Sequence, residues 1–125
     1  MATMALTKEN FDATIGGNDI VVIDFWAEWC GPCKQYGPIF EKVSETYPDI
    51  VFAKVNTEEQ QELAGHFQVQ SIPTTVIMRE GIGIFQQPGL IPEEALTDVL
   101  KQASELDMEM VRQEIAKEQA KGNEA

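Results

Sequence analysis

The sequence predicts a single α/β domain, a mixed sheet with helices on both faces, built around a strand–helix–strand unit in its first half. Three observations predict it. The run Ile20-Val21-Val22-Ile23-Asp24-Phe25-Trp26 is almost continuously apolar and rich in β-branched residues, the pattern of a strand buried on both faces. Apolar residues then recur at helical spacing, at Ile39, Phe40, Val43 and Tyr47. A second apolar run follows from Ile50 to Val55, and a right-handed crossover is expected to join the two strands.

The remaining elements follow in order. Ala27-Glu28-Trp29-Cys30 reads as a loop, and Pro32 suits the first turn of the helix, where its missing N–H costs nothing. Pro38 lies inside that helix and should kink it. His66 closes a short helix, where a polar tip suits a C-terminus, and has no acid or nucleophile near it in sequence. Thr74 to Met78 reads as a buried strand, Arg79-Glu80-Gly81 as a turn, and Ile82 to Gln86 as the hairpin partner at the sheet edge. Pro92 opens a helix with Glu93 and Glu94 in its first turn, and Leu96, Val99, Leu100 and Ala103 make its inward face. Ser104 and Asp107 have capping-box spacing, so a new helix is expected there. Its apolar stripe would be Met108, Val111 and Ile115, and Gly122 should end it. Residues 1–106 are therefore read as the domain and 107–125 as a C-terminal amphipathic extension. A helix this short needs a surface to pack on; its own domain, a partner, or no ordered contact at all remain open.

Chemistry concentrates in Cys30-Gly31-Pro32-Cys33, which holds both cysteines of the chain. Residues three apart share a helix face with Cβ atoms ~5–6 Å apart, and a disulfide needs Cα atoms ~4.4–6.8 Å apart. The pair can close and reopen with little backbone movement. A loop this short restrains little of the unfolded chain, which makes the pair a two-electron switch rather than a staple. A closed zinc site takes four ligands, and only His66 could join the two thiols; a metal or cluster shared across a dimer is the alternative. Cys30 would sit at a helix N-terminus, where unpaired N–H groups and the positive end of the macrodipole favour a thiolate. Cys33, one turn in, would be shielded and react second.

Asp24 and Lys54 are lone charges in neighbouring apolar runs. An unpaired buried carboxylate is costly and usually shifts its pKa. Either Asp24 faces solvent at an edge, or the two form a buried pair of the kind found at functional sites.

The stretch FWAEWCGPCK resembles the active-site signature of thioredoxins, and the similarity runs from about Leu6 to Leu106, through Lys54, Ile72-Pro73-Thr74 and Gly89. The resemblance implies the thioredoxin fold and a dithiol–disulfide oxidoreductase that reduces protein disulfides through a reversible Cys30–Cys33 bond. It implies that Asp24 and Lys54 handle protons for Cys33, and that Pro73 is cis, facing the cysteines. Trp29, Gly31, Pro32, Ile72, Pro73 and Gly89 would form the substrate groove. The implied partners are disulfide-containing target proteins and an NADPH-dependent flavoprotein thioredoxin reductase; no resident cofactor and no metal is implied. Thr57, Gln68 and Pro88 depart from the family pattern, two of them beside the presumed groove. The alternative is a thioredoxin-like binding module or adaptor with incidental redox activity. Sequence also offers bland readings: core packing for Trp29, and turn chemistry for Gly31, Pro32 and Gly89.

Charge excludes other classes. With 21 acidic and 9 basic residues the net charge is −12, which opposes binding to nucleic acid, where phosphates must be neutralised, and to anionic membranes. No apolar run approaches the ~18 residues of a spanning helix. Met1 to Asn10 has no basic stretch followed by an apolar one, so it does not read as a secretory signal. A C-x-x-C in a βαβ pattern then reads as intracellular, and a cytoplasmic monomer is expected.

Overall fold

The computed structural model describes residues 2–123. Five strands, β1 (Thr3–Ala5), β2 (Ile20–Trp26), β3 (Val51–Asn56), β4 (Thr74–Arg79) and β5 (Ile82–Pro88), are interspersed with five helices, α1 (Phe11–Gly16), α2 (Gly31–Thr46), α3 (Gln61–His66), α4 (Glu93–Glu105) and α5 (Met108–Asn123). The sheet order is β1-β3-β2-β4-β5. β1, β3 and β2 run parallel, whereas β4 is antiparallel to β2 and β5 to β4.

β2 is central, and its alternation sorts the core into two layers. Ile20 and Val22 join Tyr36, Phe40 and Val43 of α2 and Leu96 and Leu100 of α4. Val21, Ile23 and Phe25 face Ile15 of α1 and Leu63 of α3 on the other side. By the two-residue period of strands, Asp24 lies on the α2 face with Val22. Lys54 joins it there with Phe52, and Thr75 with Ile77. This one face carries every ionisable interruption of the central strands.

The hairpin between β4 and β5 turns on two residues, Glu80 (φ 52) and Gly81 (φ 78). Two positive φ values are what a tight hairpin turn requires, so Arg79 belongs to the strand rather than the turn. Gln68 also has positive φ, 55, a conformation that costs a side-chain-bearing residue roughly 1–2 kcal/mol; this is one of the positions where the sequence departs from the family pattern.

β1 had no signature in the sequence, because three residues are too few to show a period. The strand before α2 and the helices α2 and α4 lie where expected, and helix α2 continues through Pro38. The new helix after α4 is present, but Ser104 does not cap it. Asp107 does: its Oδ1 accepts from the backbone N–H groups of Glu109 (3.0 Å) and Met110 (3.3 Å), while the Ser104 hydroxyl donates back to Lys101 O. Nor does Gly122 end the helix, which is helical through Asn123; glycine weakens a helix without breaking it.

The extension is tied to the domain at its first turns. Met108 is buried, and Arg112 pairs with Glu80 of the hairpin turn at 2.5 Å. Next to it, Arg79 Nη1 donates to the carbonyls of Ala103 (2.8 Å) and Leu106 (2.6 Å), closing the C-terminus of α4 with a cation where the helix dipole favours one.

Candidate active site

The chain leaves β2 at its carboxyl end and enters α2 through the dithiol, and open α/β sheets place their sites at such strand ends. Cys30 and Cys33 are joined as a disulfide, with Cα atoms 5.3 Å apart. Cys30 is the N-capping residue of α2: its backbone is extended (φ −88, ψ 111) and its sulfur accepts from the N–H of Cys33 at 3.2 Å. Pro32 occupies the first turn. One of the orphan donors of the helix is thus satisfied by the reacting sulfur itself. Exposure does not separate the two cysteines in this oxidised state, at 4% and 5% of their surface, contrary to the expectation that Cys33 alone is shielded. Their surroundings separate them instead.

On the Cys30 side lies the loop before β4. The Ile72–Pro73 bond is cis, and the carbonyl oxygen of Ile72 lies 3.6 Å from Cys30 Sγ. Pro73 O accepts from the N–H of Gly89 at 2.7 Å, and Gly89 holds φ 93, a backbone region open to glycine at little cost. Three of the residues singled out for the groove, Ile72, Pro73 and Gly89, are therefore connected through backbone groups, and Ile72 stands against Cys30. Gly31, by contrast, needs no glycine for space, since an added Cβ would meet nothing within 4 Å.

Trp29 is 70% exposed, which removes core packing as its explanation. Its indole N–H donates to Glu58 Oε1 at 2.5 Å, and Glu58 is held in turn by its own N–H on Asn56 Oδ1 (2.9 Å). Sequence reasoning did not single out Glu58: its contact crosses from the loop after β2 to the loop after β3, and no local pattern encodes that. A cavity of about 410 Å³ opens between Trp29, Thr57, Ala64, Val69 and Ile72.

Behind Cys33 the surroundings are charged. Asp24 is fully buried in the central strand, so the edge reading fails. It lies in register with Lys54 on β3 and with Thr75 on β4. Desolvation raises its carboxyl from an ordinary 3.8 to about 7, against the opposing pull of Lys54. Neither carboxyl oxygen has a hydrogen-bond partner among the described residues. Lys54 reaches under α2: its Nζ stands 5.2 Å from the centre of the Trp26 ring and would lie 3.8 Å from a Cβ added at Gly37. Lys54 and Cys33 share the lining of a second cavity, about 370 Å³, with Trp26, Ala27, Glu28 and Lys34. Solvent can therefore approach the Cys33 and Lys54 side without passing Cys30. His66, set aside in the sequence, packs edge-on against Phe11 and Phe67, away from this chemistry.

A five-stranded mixed sheet that delivers a C-x-x-C disulfide to a helix N-terminus, facing a cis-proline loop, defines a dithiol–disulfide oxidoreductase of the thioredoxin fold. Comparison with known proteins agrees. The family described as Thioredoxin matches residues 2–102. A protein of Streptomyces coelicolor named "Putative thioredoxin 2" is 59% identical over 119 residues, 95% of this chain and 89% of that one. A thioredoxin of Alicyclobacillus acidocaldarius is 41% identical over 96 residues, 76% of this chain and 91% of the other. Among solved structures, a single-site mutant of a thioredoxin from Halobacterium salinarum superposes with a TM-score of 0.77 at 33% identity, covering 84% of this chain and 92% of that one. The chain belongs to the thioredoxin family. It is an oxidoreductase acting on protein disulfides, and the family implies thioredoxin reductases as partners. No helix among the described residues is long and apolar enough to cross a membrane.

Proposed function

We propose that Cys30 is the attacking thiol and Cys33 the resolving one. The Cys30 thiolate attacks one sulfur of a target disulfide, and the other target sulfur leaves as a thiolate. Cys33, having lost its proton, then attacks Cys30 Sγ in the mixed disulfide, expelling the second target sulfur and closing the Cys30–Cys33 bond. Two electrons pass to the target, and its two thiolates take up their protons from solvent. Asp24 accepts the Cys33 proton, since a carboxyl poised near neutral pH is matched to that task, and Lys54 supplies the counter-charge. Trp29, Gly31, Pro32, Ile72, Pro73 and Gly89 hold an extended segment of the target, with Ile72 offering backbone groups in the manner of an added strand. An NADPH-dependent flavoprotein thioredoxin reductase returns the electrons. The working unit is residues 1–106, monomeric and cytoplasmic, acting in electron transport and redox homeostasis, with residues 107–125 as an extension outside the chemistry.

The observation that carries this order of attack is the position of Cys30 as the cap of α2, its sulfur receiving the Cys33 N–H beside the Ile72 carbonyl. The helix N-terminus favours charge on Cys30. The test is insulin disulfide reduction with dithiothreitol as the electron source, together with capture of targets. Cys30→Ser abolishes reduction and retains few targets. Cys33→Ser accumulates mixed disulfides, because the resolving thiol is missing. Equal trapping by the two variants overturns the assignment.

A further inference from the structure

Two hydroxyl groups stand in the apolar layer beneath α2. Tyr36 and Thr75 are both fully buried, and Tyr36 Oη lies 2.7 Å from Thr75 Oγ1. Buried hydroxyls cost free energy unless paired, and a phenylalanine facing a valine would fill nearly the same volume without that demand. Packing alone therefore does not account for the pair. Its location does. Thr75 is the register partner of Asp24 across β2 and β4, and directly opposed residues have Cβ atoms ~4.5–5.5 Å apart. Tyr36 follows Cys33 by one helical turn on the same face of α2. Burial raises the Tyr36 phenol and the charge of Asp24 raises it further, against the bond to Thr75, so the phenol and the carboxyl are within electrostatic reach.

The hydrogen count completes the case. Two hydroxyls share one hydrogen bond, which leaves one proton unused. Asp24, in turn, has no hydrogen-bond partner among the described residues on either carboxyl oxygen, Thr75 Oγ1 included, so a bond from Thr75 is one that ionisation of Asp24 would have to draw in. When Tyr36 donates to Thr75, the Thr75 hydrogen is the one left over, on the strand position facing Asp24.

We propose that Tyr36 and Thr75 form a positioning dyad, in which Tyr36 orients the Thr75 hydroxyl and Thr75 donates to the carboxylate of Asp24 once that group is ionised. The dyad thereby sets the pH at which Asp24 exchanges a proton with Cys33. This rests on the reading of Asp24 as the proton acceptor. The titratable groups that act on Asp24 are Lys54 from β3 and Tyr36 from α2, with Cys33 one turn before Tyr36 on the same helix; β4 contributes Thr75, and α4 contributes the apolar Leu96 and Leu100 on the same face.

The test is the pH profile of mixed-disulfide resolution in the full chain, followed from about pH 5 to about pH 9, for the wild type and four variants. Asp24→Asn should lose the step that Asp24 produces. Thr75→Val, close in shape, should move the step upward by about one pH unit, the size of one hydrogen bond to a carboxylate. Tyr36→Phe should move it in the same direction by less, and Thr75→Ser should restore the wild-type midpoint. A purely structural role would lower the unfolding midpoint and leave the pH step in place. The dyad is overturned if Asp24→Asn removes the step while folded Thr75→Val and Tyr36→Phe both keep the wild-type midpoint. A step that persists in Asp24→Asn overturns the Asp24 reading itself, and the dyad with it.

Discussion

Helices α2 and α5 have the same length, sixteen residues each, and are held in opposite ways. α2 is a poor helix by composition, with Gly31, Pro32, Gly37 and Pro38 in its first half; glycine and proline are the least favourable residues for a helix interior. It buries Cys33, Tyr36, Phe40, Val43 and Ser44. α5 is written in good helix formers, Met, Glu, Gln, Ala and Lys. It is stitched by local pairs, Arg112 with Glu109 at 3.1 Å and Lys117 with Glu114 at 3.6 Å, and Met108 is its one buried side chain among those described. Tertiary packing makes the first helix; local preference makes the second. Packing is free to place awkward residues: Gly31 and Pro32 stand between the two reacting cysteines, and Gly37 lies over the Lys54 ammonium.

The contrast breaks most readily at Phe40, fully buried against Tyr36 and Phe52. Phe40→Ala should cost about 3–5 kcal/mol in urea denaturation, whereas no single truncation along α5 should approach that. A loss below about 1 kcal/mol would mean that α2 holds itself together locally.

Asp24 tests the same packed face with the opposite sign. Its carboxyl is raised from 3.8 to about 7 in the folded protein, so between those values the native state binds more protons than the unfolded one. Stability must then fall as pH rises from about 4 to about 7, and the full cost persists above that. Asp24→Asn removes this dependence. It should match the wild type near pH 4 and exceed its stability at pH 8 by up to about 4 kcal/mol, the free-energy equivalent of the shift, while slowing turnover. Parallel stability curves for the two proteins from about pH 4 to about pH 8 would rule out a raised Asp24.

The smallest effect belongs to the extension. Ending the chain after Leu106 removes the buried Met108 and the Arg112–Glu80 pair. The expected loss is about 2 kcal/mol, dominated by one buried methionine, since exposed ion pairs contribute little. Insulin reduction should stay within about twofold, far below the tenfold change that about 1.4 kcal/mol in a barrier would give. A folded truncated protein without activity would make α5 part of the catalytic machinery. The alignment with the Streptomyces coelicolor relative, at 119 of 125 residues, reaches into this extension, so the truncation asks a question of both chains.

The same contrast explains what could be read without coordinates. β2, α2, β4 and α4 announce themselves by long apolar periods, and the dithiol by its spacing. Asp24 and Lys54 were visible as charges where none belonged, and their register on β2 and β3 brings them together. β1 was invisible, being three residues that become a strand only by pairing with β3. Tyr36 and Thr75 each fit an ordinary core position, and only their 2.7 Å approach across 39 residues makes them a pair. Glu58 was hidden for the same reason. At the tail, Ser104 and Asp107 both carry capping side chains, and the choice between them depended on where α4 stops. Arg79 decides that by taking the carbonyls of Ala103 and Leu106, a contact from another strand that no reading of the tail contains.

The borders of the sheet have a consequence for how copies of this protein behave when crowded. One border is β1, too short at three residues to template a neighbour. The other is β5, which ends in Pro88, lacking an N–H, before Gly89 turns the chain at φ 93, while its pairing with β4 is interrupted by a register shift between Ile77 and Met78. Short, irregular, proline-ended borders resist strand-to-strand growth, and a net charge of −12 keeps like molecules apart. A protein that acts on the disulfides of other proteins thus carries borders that do not recruit its own kind into fibrils.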